Sequence, residues 1–170
     1  AALSSTNAST GNISLNGTTL SGGSIAVATG RTLTLNLSSN NNYAGTISGT
    51  NISLLKNGAG ALTLPTPTTL SFTDFTISGG SFSLNANQQL TVTGTLTNNG
   101  TMTIESGATF KQGSSVTGSG TYNVKQTIDN GAGSGSTLSG RYWYLGSPLI
   151  CTRSSAFGAS GNLNKVWQFS

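Results

Sequence analysis

The sequence predicts an all-β chain: a right-handed parallel β-helix (solenoid) of about six turns, each of about 18–20 residues, over positions 11–128. Three observations lead there. Within Gln89–Gly107, apolar residues alternate with Thr at Leu90/Val92, Leu96 and Met102/Ile104, and the alternation breaks at Thr93-Gly94 and Asn98-Asn99-Gly100. Successive side chains of a strand point to opposite faces, so these are three short, half-buried strands joined by corners. The same pattern recurs at regular intervals along the chain. Finally, charged residues make up only 6% of a chain with 24 Gly and abundant Ser, Thr and Asn, and no stretch carries the apolar stripe of a helix.

The recurrence predicts interior files. One holds Ile13/Leu15, Leu33/Leu35, Ile52/Leu54, Leu70/Phe72, Leu90/Val92 and Phe110. A second holds Ile25/Val27, Tyr43, Leu62/Leu64, Phe82/Leu84, Met102/Ile104 and Tyr122/Val124. A third joins Leu20, Ile77, Leu96 and Val116, with no members assigned in the second and third turns. A unit of this length cannot bury its apolar face alone and must stack on its neighbours. Stacking advances the chain by roughly 4.8 Å per turn, the spacing of hydrogen-bonded strands. The handedness of parallel crossovers favours a right-handed coil.

In chain order, residues 1–10 form a polar lead that would cover the open edge of the first turn. Gly11 to Leu64 holds three turns, with a long corner at Ser38–Tyr43 built on a run of Asn, a residue that tolerates left-handed backbone and bonds its own main chain. Pro65 and Pro67 cannot donate to a sheet ladder and mark a bend before Leu70. The most regular turns run from Thr68 to Ile128. Residues 129–140 are a Gly/Ser-rich linker, and residues 141–170 read as a C-terminal cap or the first strands of another β domain. In that last segment Tyr142, Trp143, Tyr144 and Trp167 are too bulky for a narrow coil, and are candidates to plug its end or to stack on a sugar.

The net charge of +4 comes from seven scattered cations, Arg31, Lys56, Lys111, Lys125, Arg141, Arg153 and Lys165, against Asp74, Glu105 and Asp129. A nucleic-acid surface would need a basic cluster with stacking aromatics, so no nucleic-acid partner is expected. Cys151 is the only cysteine, which excludes an internal disulfide, and no His exists to activate its thiol. No apolar run is long enough to span a bilayer as a helix, and a polar Ser/Thr/Asn surface suits an exported protein.

Catalysis is not expected. Glycoside hydrolysis needs two carboxylates about 5–9.5 Å apart, and Asp74 and Glu105 fall in different files and on different turns. The acids also form no cluster for a metal, so neither a metal nor another cofactor is expected. Lys56-Asn57-Gly58-Ala59-Gly60 lacks the Lys-Ser/Thr ending of a phosphate loop and reads as a corner.

Asn42–Leu64 (NYAGTISGTNISLLKNGAGALTL) resembles the strand repeats of autotransporter passenger domains, whose Lys-x-Gly-x-Gly-x-Leu-x-Leu run is matched by Lys56, Gly58, Gly60, Leu62 and Leu64. Leu90–Phe110 (LTVTGTLTNNGTMTIESGATF), with the following KQTI and RYWYLGSPL, is similar to large surface proteins of gliding and biofilm-forming bacteria that leave the cell through the type 9 secretion system. The two resemblances cover about residues 40–150. They imply a non-catalytic stretch of a secreted or cell-surface adhesin, a stiff stalk or adhesive surface. Its partners would be extracellular surfaces or glycans, the secretion machinery, and other domains of a longer polypeptide. The alternative is an ice- or solid-surface-binding solenoid that uses outward hydroxyl pairs such as Thr32/Thr34, Ser71/Thr73, Thr91/Thr93 and Thr101/Thr103. Leu55, Pro65, Glu105 and Lys111 interrupt the hydroxyl columns and favour the adhesin.

Overall fold

The computed structural model describes residues 11–17, 20, 22–65 and 68–125, and in them the chain winds as a parallel β-solenoid of about five turns. No helix occurs among the described residues. The first strand of each turn joins a six-stranded sheet made of β1 (Ile13–Gly17), β3 (Thr32–Leu37), β6 (Ser53–Asn57), β9 (Phe75–Ile77), β12 (Leu96–Asn98) and β15 (Val116–Thr117). The second strand joins a five-stranded sheet of β4 (Asn41–Asn42), β7 (Ala61–Thr63), β10 (Ser81–Leu84), β13 (Thr101–Ile104) and β16 (Thr121–Val124). The third strand belongs early to a pair, β2 (Ser24–Ala26) with β5 (Thr46–Ser48), and later to a three-stranded sheet of β8 (Thr68–Phe72), β11 (Gln88–Val92) and β14 (Thr109–Gln112). The turn count is one below the expected six because the last turn contributes only β15 and β16 to the described residues.

Thr and Ser alternate with Leu, Ile and Phe in these strands, and β3 shows the consequence: Leu33, Leu35 and Leu37 are buried while Thr32, Thr34 and Asn36 between them are half-buried. Asn serves at two of the corners, whereas in the expected corner Ser38–Tyr43 the pair Asn41–Asn42 forms β4 with Asn41 buried. Asn51 (φ 51°) and Asn87 (φ 63°) both stand in left-handed backbone, where Asn is better tolerated than other side chains.

The register corrects the predicted files. Ile13 pairs with Leu33, but Leu33 then pairs with Leu54 rather than Ile52, and the file continues through Phe75 and Leu96 to Val116. Its middle steps, from Leu33 to Leu54 to Phe75 to Leu96, are each one position longer than the steps at its two ends. Leu70, Leu90 and Phe110 form a different file, on the three-stranded sheet. Ile52 is buried, but at the corner before β6. The second file is as expected from Leu62 through Phe82 and Met102 to Tyr122. Ile25 leaves it, because it pairs with Ile47 on the small β2–β5 sheet, and Asn41 stands opposite Leu62.

The incomplete third file is resolved by the same register. The interior positions alongside the first file are Leu15, Leu35, Lys56, Ile77 and Asn98. Ile77 therefore pairs with Asn98 and not with Leu96, which lies opposite Phe75. Two of these interior residues are polar, so an apolar pattern passes over them. Lys56, expected among the scattered cations, is fully buried.

Along the axis the core is continuous, from Ile25 and Leu33 to Met102. Near its middle three aromatic side chains from three sheets meet. The rings of Phe72 and Phe75 lie 5.8 Å apart at 43°, and those of Phe75 and Phe82 lie 4.9 Å apart, edge to face at 85°. Both separations fall in the favourable range for aromatic pairs. Val116 and Val124, which continue interior files, are exposed on the last described turn.

Candidate functional site

Parallel stacking in register turns each outward position into a file of like side chains, and these files are the surface that could meet a partner. On the six-stranded sheet the central file is Ser14, Thr34, Leu55, Thr76, Thr97 and Thr117. Beside it run Asn16, Asn36 and Asn57. The polar groups here are largely engaged with one another. Asn57 Nδ2 donates to Asn36 Oδ1 at 2.9 Å, and Asn36 Nδ2 donates to Asn16 Oδ1 at 2.5 Å. The Thr97 and Thr117 hydroxyls are 3.0 Å apart, as are those of Thr95 and Ser115.

The five-stranded sheet differs. Its outward files are Ala61, Ser81, Thr101, Thr121 and Thr63, Ser83, Thr103, Asn123, flanking the buried Leu62, Phe82 and Met102. No charge and no aromatic ring interrupts these eight positions. On the three-stranded sheet the outward positions are Thr69, Gln89, Thr109 and Ser71, Thr91, Lys111. The hydroxyl pairs singled out in the sequence therefore divide among three faces: Thr32/Thr34 on the first, Thr101/Thr103 on the second, and Ser71/Thr73 with Thr91/Thr93 along the third.

The acids are placed apart. Asp74 precedes β9; its Oδ1 accepts from the Thr95 main-chain N–H at 2.8 Å, and its own N–H donates to Ser53 Oγ at 3.3 Å. Glu105 follows β13 and forms an exposed ion pair with Lys125 at 2.7 Å. Among the described residues no group of three His, Cys, Asp or Glu side chains converges on a point that could hold a metal. Among the same residues no helix is long and apolar enough to cross a membrane.

Inside, polar side chains tie the corners across turns. Lys56 Nζ donates to the carbonyl oxygens of Gly58 (2.8 Å), Gly60 and Gly79 (2.7 Å), so all three ammonium hydrogens are matched to main-chain acceptors. Burial away from water pushes the Lys56 pKa down. Gly80 adjoins this cage in left-handed backbone (φ 64°), where a Cβ would collide with Lys56 Nζ and Gly60 O. Asn98, two turns on in the same interior file, repeats the device: its Nδ2 donates to Thr121 O at 3.0 Å and its Oδ1 accepts from Gly100 N–H at 3.0 Å. Gln88 Nε2 donates to Leu64 O at 2.9 Å and Pro65 O at 2.7 Å. Gln112 Nε2 donates to Gly94 O and Ser115 O, both at 2.8 Å. Tyr43 Oη donates to Gly23 O at 2.6 Å, and burial raises its pKa.

Gln112 Oε1 and Tyr122 Oη are buried without a hydrogen-bond partner among the described residues, and Asn41 lacks one at both ends of its amide. Asn41 faces inward opposite Leu62 and is buried. Lys56, Asn98, Gln88, Gln112 and Asn41 were missed in the sequence as inward residues, whereas Tyr43 was placed in an interior file and is buried. The spacing of Lys56 from Gly58 and Gly60 was a signal for one of them, since closely spaced glycines bring main-chain carbonyls within reach of a side chain.

The candidate aromatic surface, Tyr142, Trp143, Tyr144 and Trp167, lies outside the described residues, as do Cys151, the lead at 1–10, and the linker and C-terminal segment at 129–140 and 141–170. Compared with known proteins, the chain matches no family model, no curated protein and no solved structure.

Proposed function

We propose that the chain is a non-catalytic stretch of a secreted or cell-surface adhesin, a stiff rod that attaches to surfaces or carries attachment modules away from the cell. The observation that carries this reading is the unbroken parallel pairing from β1 to β15 under a skin of small neutral side chains. Each turn is hydrogen-bonded to the next along the axis, which gives an object that resists bending and presents long uniform faces. Such faces suit contact with an extended surface better than capture of a small molecule. Export as secretion-system cargo, and service in biofilm formation or gliding, are parts of the same proposal and rest on the resemblances in the sequence.

Retention tests it. Beads carrying the full 170-residue chain should be held on glycan-coated or abiotic surfaces under flow more strongly than beads carrying a non-adhesive protein of equal size. Equal retention on every surface would defeat the reading.

A further inference from the structure

We propose that the outward face of the five-stranded sheet is an ice-contacting surface. The inference rests on the reading of the chain as an attachment rod, and it names the surface to which the rod attaches.

The first ground is hydrogen-bonding capacity left open to solvent. The hydroxyls of Thr63, Ser81, Ser83, Thr101, Thr103 and Thr121 point away from the core and have no hydrogen-bond partner among the described residues. On the six-stranded sheet, by contrast, the Asn ladder and the Thr97–Thr117 and Thr95–Ser115 pairs already use theirs. A hydroxyl carries one donor and two acceptor sites, so it can enter a water network in either sense.

The second ground is chemistry. The eight positions carry no charge, which would hold its own hydration shell, the nearest being the exposed Glu105–Lys125 pair at the edge beyond Thr103 and Asn123, and they carry no aromatic ring, the usual apolar partner of a sugar. Its Thr methyl groups limit the water around them, and β-branched Thr is stiff about χ1, so the hydroxyls are held in place before contact.

The third ground is spacing. Residues of one file repeat at the inter-strand distance of about 4.8 Å. Tetrahedrally bonded water with O···O of about 2.75 Å places second neighbours about 4.5 Å apart. The mismatch of about 0.3 Å per turn accumulates to about 1 Å over the three intervals from β7 to β16, within reach of small side-chain and hydrogen-bond adjustments. An uncharged lattice with this repeat can meet every turn of a file at once.

The test is partition of the full chain into slowly grown ice. Wild-type protein should be enriched in the ice relative to a non-binding protein of similar size. Ser83→Tyr or Thr101→Tyr should reduce enrichment to the level of that control, with the circular dichroism melt unchanged. Thr97→Tyr, on the six-stranded face, should leave it intact, and Ala61→Thr, which completes one file, should raise it. Exclusion of the wild type from ice overturns the inference, as does equal loss in Thr97→Tyr and Thr101→Tyr. If a Tyr variant fails to fold, Ala61→Thr decides, because a folded Ala61→Thr protein with unchanged enrichment counts against the face. Beads of the wild-type chain on glycan and abiotic surfaces separate the two readings: retention there with exclusion from ice overturns this inference alone, and binding to neither defeats both.

Discussion

Lys56→Met is the most informative single perturbation. The wild-type ammonium is fully buried and donates to the carbonyls of Gly58, Gly60 and Gly79, two in its own turn and one in the next. Hydrogen bonds to a charged group contribute about 1.5–3 kcal/mol each. Three such bonds sum to roughly 4.5–9 kcal/mol. Against this stands the penalty of several kcal/mol for taking an ammonium out of water, which Met does not incur. The balance is a loss of about 2–4 kcal/mol, because the part-buried Gly58 and Gly79 carbonyls lose the ammonium and the buried Gly60 carbonyl keeps only the Ser81 N–H at 3.5 Å. At about 2–4 °C per kcal/mol for a chain of this size, the melting temperature should fall by roughly 5–15 °C.

The same residue fixes a pH dependence. Its folded pKa lies below the ordinary value of 10.5. Between the two values the unfolded chain binds the extra proton, so wild-type stability rises with pH across that window, while the variant has no such dependence. The deficit of Lys56→Met should therefore widen as the pH approaches 10.5. Urea denaturation of both proteins at neutral and alkaline pH measures both effects. A variant as stable as wild type at every pH would mean that an apolar chain fills the site as well, and that the carbonyl cage contributes no net stability.

Asn41→Leu should stabilise the protein by about 1–3 kcal/mol, since it replaces a buried amide without partners among the described residues by a side chain that continues the file of Leu62 and Phe82; a lower midpoint in urea would contradict this. Leu90→Asp places a carboxylate between Leu70 and Phe110 in a dry interior and should cost several kcal/mol, read as lost β signal or a much lower melting temperature in circular dichroism. Tyr43 has a folded pKa raised above its ordinary value near 10, so its contribution is present below that pH and is lost as the pH rises through the raised value. Wild type should lose stability relative to Tyr43→Phe as the pH rises from the ordinary value to the raised one, and a flat difference between the two on alkaline titration would count against it.

Alternation with period two, Gly- and Asn-rich corners and a regular recurrence were enough to read a parallel solenoid from the chain, because burying an apolar side chain at every second position is a local demand that each strand expresses in its own composition. The file from Leu62 to Tyr122 was legible for the same reason, since every member is apolar and every step has the same length. The outward face that the ice proposal uses was visible only in part, as Thr101/Thr103, because Ser81, Ser83 and Ala61 carry no signal until the register aligns them. Tertiary structure alone decided that Leu33 stacks on Leu54, that Ile25 belongs with Ile47, and that Lys56 and Asn98 lie inside. Hydrophobic periodicity reports the cost of leaving water, and it cannot report that main-chain carbonyls at the corners of neighbouring turns compensate that cost for a particular polar side chain. That compensation depends on atoms far along the chain, Gly79 for Lys56 and Thr121 for Asn98, which become neighbours only when the coil has closed.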